Sequence, residues 1–258
     1  MPLSRAPLCF VVTALEVRKT AGMTDAPPAP RTARERARAE IMAEIVATAM
    51  EHLARDGAAA LSLRAVARDL GMVSSAVYRY VPTRDALLTL LIIDAYDSLG
   101  AAAEKAEARI DRADHLGRFL ATCHAVRNWA LANPHEYALI YGSPVPGYAA
   151  PQDTVGPASR VPRVLIAILL EERDAGTLPD HGDVAPPVSA SLVPVRDFVD
   201  GLLPDAILLR SLGAFAALYG AVSFELFGQW HNVVTETAKA RTAFFDAQMR
   251  LLAAGLLA

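Results

Sequence analysis

The sequence is most constrained by two short helix-forming segments that are separated by a glycine and closed by a proline. The first segment runs to Leu70 from Ser62, whose side-chain oxygen suits the N-cap position of a helix. Gly71 supplies the left-handed residue that ends this segment. Pro82 ends the second segment, predicted over residues 74–80, because a residue before proline disfavours the helical conformation. Two short helices joined in this way predict a helix-turn-helix.

The sequence on both sides of these segments is helical as well. A helix is predicted over residues 33–55, ended by Gly57, because apolar residues recur at every fourth position. These residues are Ile41, Ile45, Ala49 and Leu53. Thr83 is placed to cap a fourth helix, which we expect to reach about Arg109 with Asp85 in its first turn.

The rest of the chain predicts further helices and an all-α fold class. These helices are expected over residues 114–133, 134–141, 160–175, 188–203, 205–230 and 237–256. The stretch 142–157 is rich in proline and glycine and is predicted to be a loop. Strand-like alternation is absent from the sequence. The predicted organisation is a disordered extension (1–32), a helix-turn-helix domain (33–82) and a larger helical domain (83–258) for regulation and dimerisation.

Composition favours a soluble protein of the cytoplasm. No apolar run reaches the roughly 18 residues of a membrane span, so we expect no membrane partner. Two cysteines, Cys9 and Cys123, are too few for a disulfide framework and fit a reducing compartment. Cys123 shares a predicted helix with His115 and His124, but no second pair of ligands follows at metal spacing. We therefore expect a buried cysteine, no metal site and no cofactor.

The N-terminal residues allow two interpretations. The stretch 8–15 loosely resembles the core of a signal peptide, but charged residues follow it where a small-residue cleavage site is expected. Met23 offers a second plausible start, which favours an upstream extension over residues 1–22. The proline-rich sequence "DAPPAPR" that follows is predicted to be a disordered arm. Whether residues 1–22 are translated in the native protein stays open.

The charge and the arrangement of side chains indicate that the helix-turn-helix binds DNA. Residues 31–84 hold nine arginines and six acidic residues, although the whole chain carries a net charge of −3. In the second short helix, Val77 and Val81 fall on one side, as packing requires, and polar residues cover much of the rest. Small residues at the start of this helix allow close approach to base edges. The alternative is that this helix merely presents a solvated face.

Residues 34–90 resemble the N-terminal domain of the tetracycline-repressor (TetR) family of transcriptional regulators. The stretches that carry the resemblance are "IVATAMEHLARDGAAALSLRAVARDLGM" and "SSAVYRYVPTRDALL". The resemblance implies a homodimer whose third helices enter successive major grooves of a near-palindromic operator. It assigns phosphate contacts to Tyr78 and Arg84. The full set of expected DNA-binding residues is Ser62, Arg64, Ser74, Ser75, Ala76, Tyr78, Arg79, Tyr80, Thr83 and Arg84.

The remainder of the chain resembles the regulatory domains of the same family. The stretches "EYALIYGSPVPGYAAPQDT" and "FAALYGAVSFELFGQW" resemble the subgroup named for a Trp-His-Gly signature, although Phe215 and Tyr219-Gly220 replace those residues. An effector cavity for a small apolar or aromatic molecule is expected to be lined by aromatic side chains, or these side chains form ordinary core. They are Trp129, Tyr137, Tyr141, Tyr148, Phe215 and Tyr219.

The last two predicted helices carry apolar faces on residues 206–227 and 243–256, which predict a homodimer through a four-helix bundle. The alternative is that both are internal core helices. No catalytic motif is present: we found neither a nucleophile elbow, a zinc-protease helix nor a phosphate-binding glycine loop, so we expect no enzyme. The sequence thus predicts a DNA-binding repressor released by a small molecule. The alternative function is a helical small-molecule-binding protein or enzyme without DNA binding.

Overall fold

A computed structural model describes residues 32–257 of the chain, and every regular element in that range is helical. The all-α fold class is therefore confirmed. The helices are α1 (Ala33–Asp56), α2 (Leu63–Asp69), α3 (Ser74–Tyr78), α4 (Arg84–Glu107), α5 (His115–Ala132), α6 (Pro134–Tyr141), α7 (Val155–Ala158), α8 (Arg160–Asp174), α9 (Pro186–Ser191), α10 (Val193–Phe198), α11 (Asp205–Leu226) and α12 (Ala238–Ala253). Apart from Thr32, the predicted disordered extension lies outside the described residues.

The described chain divides into two compact units. The first unit comprises residues 32–97 and 133–157, and the second comprises residues 98–132 and 158–257. The division falls within α4, between Asp97 and Ser98. Residues after α5 thus return to the first unit, a feature that local sequence patterns did not reveal. The predicted boundary between residues 82 and 83 separates a DNA-binding domain from a regulatory domain, and it stays a prediction.

The first unit is built around an aliphatic core that α1, α2, α3 and α4 share. Ile45 and Ala49 of α1 are fully buried there, as their spacing predicted, together with Val66 of α2. Leu139 of α6 and Tyr148 pack against the same core from residues 133–157. Because these apolar side chains leave water together, they hold the short helices α2 and α3 in place despite their low intrinsic stability.

Local signals set the ends of the helices in the first unit. Gly57 follows the end of α1, as predicted, with a φ of 77°, and Gly71 has a φ of 66°, the positive value predicted for it. At the start of α1, the Thr32 hydroxyl accepts from Glu35 N while the Glu35 carboxylate accepts from Thr32 N, a capping box. Thr83 Oγ1 accepts from Ala86 N at 3.0 Å, so its predicted capping role is confirmed.

Some predicted boundaries were wrong. Helix α3 ends at Tyr78 rather than at residue 80. The stretch 142–157 is not all loop, because a 3-10 turn (Gln152–Thr154) leads into α7. The single helix expected over residues 188–203 is two helices, α9 and α10, which meet at Leu192. Proline explains part of this: it lacks an N–H and is tolerated in a first turn, where it starts a new helix.

The second unit packs α5 against α8, α11 and α12 and carries buried ion pairs in its interior. The Arg127 guanidinium donates from Nε and Nη2 to the two Glu225 carboxylate oxygens, each at 2.6 Å, and both side chains are buried. Fully buried Arg118 donates to Glu107 Oε1 and to Glu171 Oε2, each at 2.5 Å. Such charges are tolerated in a core only when paired. The sequence reasoning missed these pairs, whose partners are 98, 53 and 11 residues apart and belong to different helices.

Two helices, α4 and α11, are long and apolar enough to cross a membrane by length and composition alone. In the most apolar stretch of each helix, 44% of the residues of α4 and 39% of those of α11 are buried inside the protein. Core helices of soluble proteins pass the same test, so this feature is weak evidence for a membrane span.

Candidate nucleic-acid interface

Helix α3 presents one packed face and one exposed face, as the sequence predicted. Val77 and Val81 are fully buried in the core of the first unit. On the other side, Ser75, Tyr78 and Arg79 are exposed, with Tyr78 at 40%. Ser74 and Ala76 are half-buried. The exposed face therefore combines two hydroxyl groups and a guanidinium, which are groups that bind phosphates and base edges.

Arg84 has intramolecular partners at the start of α4. Its Nη2 donates to the carbonyl oxygen of Ala58 at 2.8 Å, and its Nε donates to that of Leu61 at 3.3 Å. These carbonyls belong to the turn between α1 and α2, so Arg84 ties α4 to that turn. The side chain keeps 33% of its surface exposed. The hydrogen bonds show that Arg84 positions the start of α4 against this turn. The phosphate contact expected of Arg84 stays a prediction.

The start of α2 differs in one detail from the sequence-based expectation. Ser62 occupies the N-cap position, but its hydroxyl makes no capping hydrogen bond. The expected side-chain cap is therefore wrong, although the position is right. Arg64, one residue into the helix, is exposed. Its guanidinium is thus accessible for the DNA contact that was predicted for it.

Tyr80 lies under an arginine that the sequence reasoning overlooked. Its ring is half-buried and packs against the core of the first unit. The Arg38 guanidinium of α1 stands over this ring, 5.0 Å from its centroid, a cation–π arrangement. A signal for this contact was available, because Arg38 precedes the core-packed Met42 by one helical turn. Tyr80 thus joins the end of the α3 region to α1.

A buried histidine joins α1 to α2 below this surface. His52 is 4% exposed, and its Nε2 lies 2.7 Å from Asp69 Oδ2. The hydrogen bond with His52, followed by the one from Arg68, holds the pKa of the Asp69 carboxyl below its usual value. The pair links α1 to α2.

The side chains of Cys123, His115 and His124, which share a predicted helix, have separate contacts in the structure. Cys123 is fully buried, as predicted, and burial raises the pKa of its thiol. His124 Nε2 lies 3.0 Å from Asp246 Oδ1, whereas His115 Nδ1 lies 2.8 Å from Glu172 Oε1. Across residues 32–257, no group of three or more such side chains is arranged to hold a metal ion.

The second unit contains a partly open apolar cavity of about 260 Å³. Its walls come from α5, α8, α9, α10, α11 and the last residues of the described chain, including Phe198, Leu212 and Leu257. Only two polar residues, Ser191 and Ser211, line it, and each hydroxyl donates to a carbonyl of its own helix region at 2.6 and 2.7 Å. The cavity therefore suits an apolar molecule.

The residues predicted to line one cavity do not come together. Phe215 lines it, and the Tyr219 ring packs against Phe215 at 4.6 Å between centroids. Trp129 donates from Nε1 to Ser98 Oγ at 2.9 Å and is not part of the lining. Tyr137, Tyr141 and Tyr148 belong to the first unit. The lining of this cavity is mostly aliphatic, and the predicted ligand contacts of Trp129, Tyr137 and Tyr141 stay predictions.

Helices α11 and α12 each bury one face and expose another that is also apolar. On α11, Leu209 is 44% and Phe224 is 47% exposed, and small residues at Gly213 and Ala217 lie between them. On α12, Leu251 is 76% exposed. Monomeric soluble proteins rarely expose large contiguous apolar patches.

These features define a helix-turn-helix protein with a helical C-terminal portion, and comparison with known proteins identifies its family. Residues 45–91 match the model of bacterial regulatory proteins of the tetR family, and residues 119–252 match a tetracyclin repressor-like C-terminal domain. The chain is 42% identical over 226 residues to the HTH-type transcriptional regulators Rv1816 of Mycobacterium tuberculosis and Mb1846 of Mycobacterium bovis, with 86% of this chain and 95% of each relative covered.

Solved structures agree with this result. The regulatory protein SCO4313 superposes with a TM-score of 0.68 at 36% identity, covering 86% of this chain and 98% of that one. PfmR of Thermus thermophilus, 17% identical with a TM-score of 0.52 over 81% of this chain and 96% of that one, shares the fold. The chain belongs to the TetR family of DNA-binding transcriptional regulators, which are not enzymes. Assignment to the Trp-His-Gly subgroup stays a prediction.

Proposed function

We propose that this protein is a cytoplasmic repressor that binds a near-palindromic operator as a homodimer and is released by a small apolar effector. The observation that carries this proposal is the exposed face of α3. That helix is held from behind by the fully buried Val77 and Val81. It turns serine, tyrosine and arginine side chains outward on a rigid support, as a recognition helix must.

The proposed contacts follow from exposure along this face. Ser74, Ser75 and Ala76 bring the start of α3 close to base edges because their side chains are short. Tyr78 and Arg79 contact phosphates, and exposed Arg64 adds a contact from α2. Tyr80 and Arg84 act mainly through position, because the first lies beneath Arg38 and the second is bonded to the α1–α2 turn.

The exposed apolar faces of α11 and α12 support the dimer. A self-complementary pairing about a two-fold axis places these helices of two copies in one four-helix bundle. Small residues such as Gly213 and Ala217 allow the helix backbones to approach closely, with Leu209 and Phe224 filling the flanks. A symmetric dimer of this kind is expected to bind two half-sites about 34 Å apart, one helical turn of the duplex.

The cavity of the second unit supports control by an effector. Its volume of about 260 Å³ and its aliphatic lining favour a small molecule with an extended apolar part. Since Ser191 and Ser211 already bond to backbone carbonyls, shape and desolvation provide most of the affinity. An effector that binds better to a dimer unable to span two half-sites shifts the population away from DNA.

Selection of DNA from a random duplex library by the full-length protein tests the core of the proposal. We expect a near-palindromic site to be enriched, and its affinity to fall steeply with added salt because phosphate contacts release counterions. Tyr78→Phe, which removes one hydroxyl, should weaken binding to all sequences. Failure to enrich any sequence would contradict the proposal.

A second experiment addresses release. Apolar compounds that raise the thermal transition of the protein are added to the complex of protein and selected DNA. The proposal expects at least one such binder to dissociate the complex at concentrations near its own Kd. Binders that all leave the complex intact would show that the cavity does not control DNA binding.

A further inference from the structure

Val73, the residue immediately before α3, has an exposed apolar side chain that is not part of the core of the first unit. It keeps 71% of its side-chain surface accessible. Among the described residues of the first unit, Val73 and Tyr78 are the only exposed large hydrophobic side chains, at 71% and 40%. Both lie on the same short helical segment, one at each end of α3. The exposed apolar surface of the first unit is therefore concentrated at the proposed recognition helix.

Val73 also occupies a position where a polar residue would be more stabilising. It is the N-cap residue of α3, with φ −68° and ψ 137°, and it makes no side-chain capping hydrogen bond. Serine, threonine, aspartate and asparagine are preferred there because their oxygens accept from the first free backbone N–H groups. Valine thus lacks the cap and leaves an apolar side chain in water. Departures from local preference of this kind concentrate at functional sites.

The apolar side chain of Val73 limits the groups of DNA that it can contact favourably. The neighbouring side chains of Ser74, Ser75 and Ala76 are short, so they leave the isopropyl group of Val73 free to project beyond them. In the major groove, the edges of unmodified bases present hydrogen-bonding groups and a single apolar group, the C5-methyl of thymine. Valine can offer only apolar contact. We propose that Val73 determines operator specificity by packing against a thymine methyl group in each half-site.

This inference rests on the proposed DNA binding, and it adds direct sequence readout to a helix whose serines alone would read little. The test uses the full-length protein and the operator that it selects from a random duplex library. Each thymine of one half-site is replaced in turn by deoxyuridine, which removes only the methyl group. The same set of duplexes is measured with Val73→Ser.

The expected result is specific to one thymine position. For the wild-type protein, loss of its methyl should weaken binding about fourfold, and loss in both half-sites about fifteenfold, from the transfer free energy of one methyl group. Val73→Ser should bind the normal operator more weakly and show no measurable change on removal of the methyl. The melting temperature of the same variant should be about 2–4 °C higher than that of the wild-type protein, because serine can cap α3.

The opposite signs of these two effects separate lost contact from lost folding. Val233→Ser is the matched control, since this valine is 69% exposed and lies between α11 and α12. It should leave both DNA affinity and methyl sensitivity unchanged. Equal sensitivity of wild-type protein and Val73→Ser at every thymine, or selected half-sites without thymine, would overturn the inference while leaving DNA binding intact. Absence of any DNA binding by the wild-type protein would overturn the proposed function as well.

Discussion

The two units of the protein distribute apolar and charged side chains differently between interior and surface. The first unit has an interior of aliphatic side chains such as Ile45, Val66 and Leu88, and its exposed face at α3 carries polar groups beside the single aliphatic side chain of Val73. The second unit places buried ion pairs inside, contains a partly open apolar cavity and exposes apolar side chains on α11 and α12. The difference indicates that the first unit is shaped for a charged partner. The cavity and the exposed faces of the second unit suit the apolar effector and the second copy that we propose for it.

The largest effect is expected from breaking the buried pair of the second unit. Glu225→Ala leaves the Arg127 guanidinium buried without its carboxylate, which should lower the free energy of unfolding by about 3–5 kcal/mol. Chemical denaturation followed by circular dichroism measures this change. Removing Arg55 from its exposed pair with Asp56 in the first unit should change stability by less than about 1 kcal/mol. Similar costs for both variants would contradict the contrast between the units.

A charge on the exposed face of α11 should separate the subunits. Ala217→Arg places two like charges close together across the proposed two-fold axis, and we expect dimer affinity to fall by about a hundredfold or more. Analytical ultracentrifugation over a range of concentrations measures it. Ala190→Arg, on exposed α9, is the control and should leave the dimer unchanged. A dimer that tolerates arginine at 217 would place its interface elsewhere.

Filling the cavity should uncouple the effector from DNA. Leu165→Trp adds bulk to the lining, so effector affinity should fall about tenfold or more while operator affinity stays within about twofold. Isothermal titration and gel shift provide the two values. Leu131→Trp makes the same exchange at a site of the second unit outside the lining, and effector binding should persist. Equal responses of both variants would argue against the cavity as the effector site.

The smallest effect concerns pH. The hydrogen bond with His52 lowers the pKa of Asp69, so the carboxylate contributes stability above its unfolded pKa. That contribution is lost as pH falls through the lower folded pKa. Melting temperature should therefore decline less steeply on acidification below about pH 4 in Asp69→Asn than in the wild-type protein. Parallel curves for the two proteins would show that this pair does not fix α1 to α2.

The two units also differ in how far their structure follows from sequence. Helices α1 and α2 of the first unit end next to Gly57 and Gly71, signals that act within a few residues and are visible in the chain. For the same reason the buried side of α3 was predicted correctly at Val77 and Val81. Its exposed Val73 was overlooked, because apolar periodicity alone does not distinguish a buried valine from an exposed one.

The cavity and the ion pairs of the second unit depend on contacts between distant segments. Arg127 and Glu225 are 98 residues apart, and no spacing rule joins them. The lining is assembled from several helices, including two that sequence reasoning had merged into one. Aromatic content was a poor guide for that reason: Tyr137 and Trp129 serve packing and hydrogen bonding away from the lining.

The central claim is that the exposed face of α3 binds DNA, and one pair of substitutions tests it directly. Ser75→Glu adds a negative charge to that face, and Ala47→Glu adds the same charge to the exposed side of α1, away from the core. Operator affinity is measured by fluorescence anisotropy for both folded variants. We predict a loss of about a hundredfold for Ser75→Glu, from repulsion of phosphates and lost base contacts, and little change for Ala47→Glu. Wild-type affinity in Ser75→Glu would contradict the claim.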